Sequence, residues 1–172
     1  MSRLMVISDG LVRVERWASR LLVTAFVTLI VANVAMRYVL TRPIVFAEEL
    51  AAILLVWLAF TATSITIHDR SQIGVTLLTG HLPRPFRHSI DLAVRVIVAA
   101  ILAVLLWTSL TWVRSPAVSF EQIITTGWPK APFFWIVPIF AATALIHVLA
   151  QLAQMVAEGS ADEAAGPRKA EI

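Results

Sequence analysis

The stretch that decides the fold is VFAEELAAILLVW, residues 45–57, where two adjacent carboxylates open one of the most hydrophobic runs of the chain. The apolar run continues to Ile67, and its length matches the ~20 residues that a helix needs to cross a ~30 Å hydrocarbon core. The stretch therefore predicts a transmembrane helix whose first turn carries Glu48 and Glu49. Such a pair could form a salt bridge, a partner-binding surface, a proton relay or a metal site.

The composition extends this prediction to the whole chain. Of its 172 residues 59% are hydrophobic and 15% charged, and the mean hydropathy is +0.82, whereas soluble domains average roughly 45–50% apolar and about 25% charged residues. Four apolar runs of helical length lie at about 17–36, 47–67, 90–113 and 132–155. They predict an all-α integral membrane protein of four transmembrane helices in one domain, residues 1–157, followed by a disordered tail, 158–172.

The positions of the basic residues predict the orientation. Ten of the fourteen Lys and Arg residues lie in three regions: before or at the start of the first span, between the second and third spans or just inside the third, and in the tail. The positive-inside rule therefore places both termini in the cytoplasm. The net charge of +3 is no nucleic-acid signal, since the arginines flank apolar segments and form no basic stripe with interleaved aromatics. Without cysteine the chain can form neither disulfides nor Cys-ligated metal centres.

Polar residues gather where the first two spans meet. Asn33 and Arg37 share a face of the first helix, and Arg42 lies in the short loop before the two glutamates. Carboxylates in a first helical turn also interact favourably with the helix dipole. We therefore expect an Arg–Glu contact that closes this hairpin. Whether Glu48 and Glu49 face Arg37, Arg42 or a partner stays open.

Other ionisable groups predict no pathway through the membrane. Asp91 and Arg95 are spaced to pair on the third helix, and no acidic residue is expected to be buried within a span. His68, His88 and His147 all lie toward the predicted cytoplasmic side, where two imidazoles could hold a haem. Only His147 is inside an apolar run, with no other histidine expected at its depth. The sequence therefore predicts no cofactor.

Two segments outside the spans show their own patterns. Residues 72–86 place apolar side chains near helical spacing, which predicts a short amphipathic helix lying in the membrane interface between the second and third spans. Near the fourth span, the helix is expected to begin at Pro129 or Pro132, because a proline at a helix start loses no hydrogen bond. Pro138 should then kink that helix one and a half to two turns inside it.

The ordered set of these residues resembles a known family, the small membrane subunit (DctQ type) of tripartite ATP-independent periplasmic (TRAP) transporters. The matching residues are Asn33, Arg37-Tyr38, Glu48-Glu49-Leu50, Trp57, Ile73, Val75, Leu82-Pro83, the run from Pro129 to Trp135, and Pro138. The family often has a His-Ile-x-Val-Asp run where this chain has Gln72-Ile73-Gly74-Val75-Thr76. Any role of that His and Asp therefore does not transfer.

The resemblance implies a subunit of a bacterial inner-membrane transporter, and not an enzyme. It implies two protein partners: a large membrane subunit with the sodium and substrate sites, and a periplasmic binding protein that delivers a carboxylate. Membrane lipid is the third expected partner. The residues expected to shape the structure or the partner interface are Asn33, Arg37, Arg42, Glu48, Glu49, Trp57, Pro129 and Pro138. The alternatives are a haem-bearing anchor of a redox complex, a stand-alone transporter and an assembly factor.

Overall fold

The computed structural model describes residues 3–69 and 84–165, with side chains for residues 3–69 and 90–157. The helices are α1 (Arg3–Val39), α2 (Ala47–His68), α3 (Arg84–Val113), α4 (Pro116–Ser119), α5 (Ala131–Phe134) and α6 (Ile136–Ala165). Four segments are long and apolar enough to cross a membrane: Arg3–Val39, Ala47–His68, Ile90–Val113 and Ala131–Ala157. The prediction of an all-helical protein with four spans is confirmed for the described residues.

Two helices are longer than the predicted spans. α1 begins at Arg3 rather than near Trp17, because polar side chains in its first turns are held by contacts with α2 and α6. α6 runs to Ala165, past the point where a disordered tail was expected to begin. Most of the predicted interfacial helix, residues 72–83, lies outside the described residues, and its last residues belong to α3.

α6 is the central helix of the bundle. It packs against α1, α2 and α3, while α1 and α2 also run along each other as a hairpin. Ala141, Ala144 and Ala150 of α6 are fully buried, and small side chains of this kind let helices approach closely. Around Ala144, the ring of Phe140 packs against that of Phe60 of α2 at an angle of 45°, with centroids 5.1 Å apart. The core therefore lies along α6, and the large apolar side chains of α1 and α3 point mostly outward.

The polar residues gather at the two ends of this bundle. The hairpin end comprises residues 40–46 and 114–130, which join α1 to α2 and α3 to α5. The terminal end is where the first turns of α1 meet the end of α2 and the adjoining part of α6. Both ends contain contacts between helices that are distant in sequence.

The prolines of the fourth span break the helix instead of kinking it. Pro132 lies in the first turn of α5, as expected for a proline at a helix start. Pro138 lies in the first turn of α6, so the predicted kink deep within the helix is replaced by an interruption at Trp135, between α5 and α6. Because proline has no N–H, Pro138 cannot donate to the carbonyl of Phe134, four residues earlier. The series of backbone hydrogen bonds along the helix is therefore interrupted there.

Candidate functional site

The predicted clasp at the hairpin end is present, and it uses one of the two glutamates. Arg37 Nη2 donates to Glu48 Oε1 at 2.9 Å. Both side chains are substantially exposed, so the pair orients the hairpin more than it stabilises the fold. Arg42 is held through its backbone, whose N–H donates to the carbonyl of Met36 at 3.1 Å.

Asn33 fixes the loop of the same hairpin from inside. Its side chain is buried, and its Oδ1 accepts a hydrogen bond of 2.9 Å from the backbone N–H of Ile44. Thr41, between them, adopts a positive φ of 53°, which turns the chain back toward α2. The amide of Asn33 therefore supplies a partner to a loop N–H that no helix could satisfy.

Glu49 has a different role from its neighbour. Its carboxylate accepts hydrogen bonds from the backbone N–H groups of Ile124 at 3.3 Å and Thr125 at 3.1 Å, and also from the Thr125 hydroxyl. These donors lie in a tight turn that closes between Glu121 and Lys130, with Gly127 at a φ of 71°. Glu49 thus ties α2 to the segment between α3 and α5.

Trp57 and the predicted prolines belong to the same end. The indole Nε1–H of Trp57 donates to the carbonyl of Phe133 at 2.9 Å, next to the interruption at Trp135. Pro129 forms an antiparallel bridge with Gln122 across the base of the turn. Trp57 also lines two apolar cavities, of about 400 and about 310 Å³. Its side chain therefore joins α2 to the broken start of the fourth span.

The terminal end contains a buried polar cluster that the sequence prediction missed. His147 is 0% exposed; its Nδ1 lies 2.7 Å from Ser8 Oγ, and its Nε2 lies 3.2 Å from Glu15 Oε2. Ser64 donates to the other oxygen of Glu15 at 2.7 Å, and Glu15 is only 8% exposed. The expectation that no acidic residue is buried within a span is therefore wrong, because α1 extends beyond the predicted span and carries Glu15 into the bundle.

A second, more exposed group adjoins this cluster. His68 lies between two carboxylates, with Nε2 at 3.2 Å from Asp9 and Nδ1 at 3.1 Å from Asp69. Arg16 donates to both oxygens of Asp69, at 2.7 and 2.9 Å. Hydrogen bonding from His68 and the nearby charge of Arg16 stabilise the ionised form of Asp69, which lowers the pKa of that carboxyl below its usual range.

The two histidines are also neighbours, which corrects another expectation. The rings of His68 and His147 meet edge to face with centroids 5.0 Å apart, so His147 does have a histidine at its depth. This geometry does not favour a haem, because all four ring nitrogens already lie within hydrogen-bonding distance of Ser, Asp or Glu side chains. No cluster of three or more His, Asp or Glu side chains that could hold a metal ion occurs among the described residues.

α3 joins the terminal end through a glutamine. Arg95 donates to Gln151 Oε1 at 2.6 Å, and Gln151 Nε2 donates to the carbonyls of Ile67 at 2.7 Å and His68 at 3.2 Å. Arg95, for which the sequence predicts pairing with Asp91 on its own helix, makes a contact between helices here. Through Gln151 the end of α2 is held to α6 and α3.

Ser8, His147 and Glu15 form a hydrogen-bonded series with the residue types of a catalytic triad: a nucleophile, a base and an acid. Ser8 is only 2% exposed and His147 is fully buried, so no substrate carbonyl can reach the hydroxyl. The cluster therefore holds helices together and does not act as a catalytic triad.

Four apolar helices of spanning length, with polar contacts gathered at the two ends of the bundle, define a multi-pass membrane protein. A family model described as tripartite ATP-independent periplasmic transporters, DctQ component, matches residues 26–158. The chain belongs to this family, which is a transporter component and not an enzyme family. A comparison with curated proteins finds no match.

Proposed function

We propose that this chain is the small membrane subunit of a TRAP transporter, in which it scaffolds a large sodium-coupled membrane subunit. In this proposal a periplasmic binding protein delivers a carboxylate substrate to the large subunit, and both termini of the present chain lie in the bacterial cytoplasm. The family membership supports the transporter class. The positive-inside distribution of Lys and Arg supports the orientation.

The observation that carries the scaffold role is the uneven burial of the four spans. About 44% of the most apolar window of the fourth span is buried within the chain, against 6% for each of the first and third. An α-helical face that is apolar but uncovered must meet lipid or another apolar helix. The chain thus offers two broad flanking faces to a membrane partner around one well-packed central helix.

The hairpin end is the part that we propose to meet the partner subunits. Asn33, Arg37 and Glu48 fix its first loop, while Glu49 fixes the second. Four more residues shape this end. Arg42 lies in the loop and Pro129 in the turn, while Trp57 and Pro138 shape the start of the fourth span. These contacts brace both loops of this end, so in this proposal it forms a rigid platform and substrate binding belongs to other subunits.

Reconstitution into vesicles tests this role. The chain alone should give no sodium-dependent carboxylate uptake, whereas the chain together with its large subunit and binding protein should. The control is the large subunit with the binding protein but without this chain, which should lose uptake if the scaffold is required. Uptake by this chain alone would refute the proposal.

Reporter fusions test the proposed orientation separately. Fusions after Arg87 and Arg168 should report a cytoplasmic location, and a fusion at Ser119 should report a periplasmic one. A cytoplasmic signal at Ser119 would contradict the proposed topology without bearing on the family.

A further inference from the structure

The pair Glu15–His147 is the most deeply buried ionisable contact among the described residues. The carboxylate comes from α1 and the imidazole from α6, with 3.2 Å between Glu15 Oε2 and His147 Nε2. The other partners of the pair, Ser8, Ser64 and Thr143, are neutral hydroxyls. Whatever charge the pair carries must therefore be balanced within the pair itself or by the neighbouring polar group.

The neighbouring group contains both acidic and basic side chains. The described groups that face the pair are Asp9 and Arg16 on α1, His68 at the end of α2 with Asp69 just after it, and Arg95 on α3, which reaches the cluster through Gln151. Asp91 lies one turn before Arg95 on α3, and Arg13 lies on the exposed side of α1. With Glu15 and His147 included, three carboxylates thus face two guanidinium groups and two imidazoles.

The basic groups next to the pair make their contacts elsewhere. His68 and Arg16 contact Asp9 and Asp69, and Arg95 contacts Gln151. Among the described residues, no Lys or Arg side chain contacts Glu15, whose carboxylate meets His147, Ser64 and Thr143. Of these three contacts, only His147 can supply a positive charge to Glu15.

An ionised Glu15 beside a neutral His147 would bury one uncompensated negative charge. Hydrogen bonds from Ser64 and from the imidazole reduce that cost, but they do not supply the missing positive charge. One added proton removes the imbalance, whether it sits on the imidazole or on the carboxyl. The Ser8 hydroxyl suits both cases, since it can accept from a protonated Nδ1 or donate to a bare one.

We propose that Glu15 and His147 form a proton-binding site that holds one proton between them and thereby locks the first turns of α1 onto α6 and α2. The site is independent of the proposed transport role. Glu15 and Ser8 precede residue 26, where the family match begins, so the match itself assigns nothing to them. Loss of the shared proton leaves a buried anion, and the start of α1 then separates from α6.

Distance measurements between α1 and α6 test whether the shared proton holds the start of α1 against α6. The chain has no cysteine, so a single introduced pair, Val6→Cys and Leu149→Cys, carries spin labels at two exposed positions without background. In the full chain in lipid nanodiscs, the label distances should be narrowly distributed near neutral pH and should broaden reversibly as the pH rises.

Amide variants give the matched controls. Glu15→Gln removes the charge and keeps the shape, so the distribution should stay narrow across the same pH range. His147→Gln alone leaves the carboxylate without a titratable partner and should broaden the distribution at neutral pH. The double variant, Glu15→Gln with His147→Gln, should restore the narrow distribution and remove its pH dependence. Asp9→Asn alters only the neighbouring group and should retain the alkaline broadening.

Spectroscopy on the labelled wild-type chain locates the proton directly. Nitrogen NMR of labelled histidine reports an imidazolium at His147, and infrared difference spectra against Glu15→Gln report a protonated carboxyl at Glu15. Either signal at neutral pH supports the proposal, since both place one proton on the pair. A neutral His147 with an ionised Glu15 in the folded chain would overturn it, as would an identical alkaline response in wild type and Glu15→Gln.

Discussion

Replacing Trp57 by Phe removes one hydrogen bond and keeps most of an aromatic ring. The indole N–H donates to the carbonyl of Phe133 at 2.9 Å, in a partly buried setting. A neutral bond of this kind contributes about 0.5–1.5 kcal/mol net, and leaving the acceptor without a partner costs ~1–3 kcal/mol. The smaller ring also loses contacts beside the two cavities that Trp57 lines. We therefore expect the free energy of unfolding to fall by about 1–3 kcal/mol.

The matched control is Trp107→Phe, which makes the same chemical change at a side chain on α3 that is 76% exposed. Its effect should stay within about 0.5 kcal/mol, as is usual for exposed positions. Reversible unfolding in mixed micelles, followed by circular dichroism, measures both variants without relying on tryptophan fluorescence. Equal losses for the two variants would refute the assignment of a stabilising hydrogen bond to Trp57.

Three further predictions concern charged groups. Arg37→Glu and Glu48→Arg should each lower the free energy of unfolding by up to about 1 kcal/mol, and the double swap should recover part of it; a double-mutant cycle with no coupling energy would contradict the pairing. Glu49→Ala should speed hydrogen exchange at the amides of Ile124 and Thr125 more than Glu48→Ala does, since only Glu49 accepts from them. The lowered pKa of Asp69 means that its ionised form stabilises the fold above its unfolded pKa, and this stability is lost as the pH falls through the folded pKa. Asp69→Asn should therefore flatten the acid limb of a stability-against-pH curve, and an unchanged limb would count against the contacts with its carboxylate.

Contacts close in sequence could be predicted, because a short loop leaves few arrangements. Arg37 and Glu48 are 11 positions apart, and the antiparallel hairpin between them brings both to one end. The four spans followed from length and hydropathy alone, since lipid demands about twenty apolar residues for each crossing. The start of the fourth span followed from the absence of a proline N–H.

Contacts between distant helices could not be predicted, because they depend on how the helices are rotated and shifted against each other. Glu49 is 76 residues from Thr125, and only the packing of α2 against the fourth span makes them neighbours.

Glu15 was missed for a different reason. It lies between Arg13 and Arg16, in a stretch whose charges indicate a wet interface. Each residue rotates the helix by about 100°, so both arginines are exposed while Glu15 is buried against His147. The charges of a stretch, taken along the sequence, ignore this rotation. The seven-residue spacing of Ser8, Glu15 and Leu22, in contrast, predicts that they share one face of a helix.

The measurement that tests the central claim most directly is the composition of the complex that this chain forms in its own membrane. A tagged chain, extracted in mild detergent and purified, should bring a large polytopic membrane subunit with it in equal amount, with no Soret absorption. Adding that complex to vesicles with its periplasmic binding protein should give sodium-dependent carboxylate uptake. Purification of a haem-bearing redox complex, or of this chain alone with full transport activity, would contradict the account.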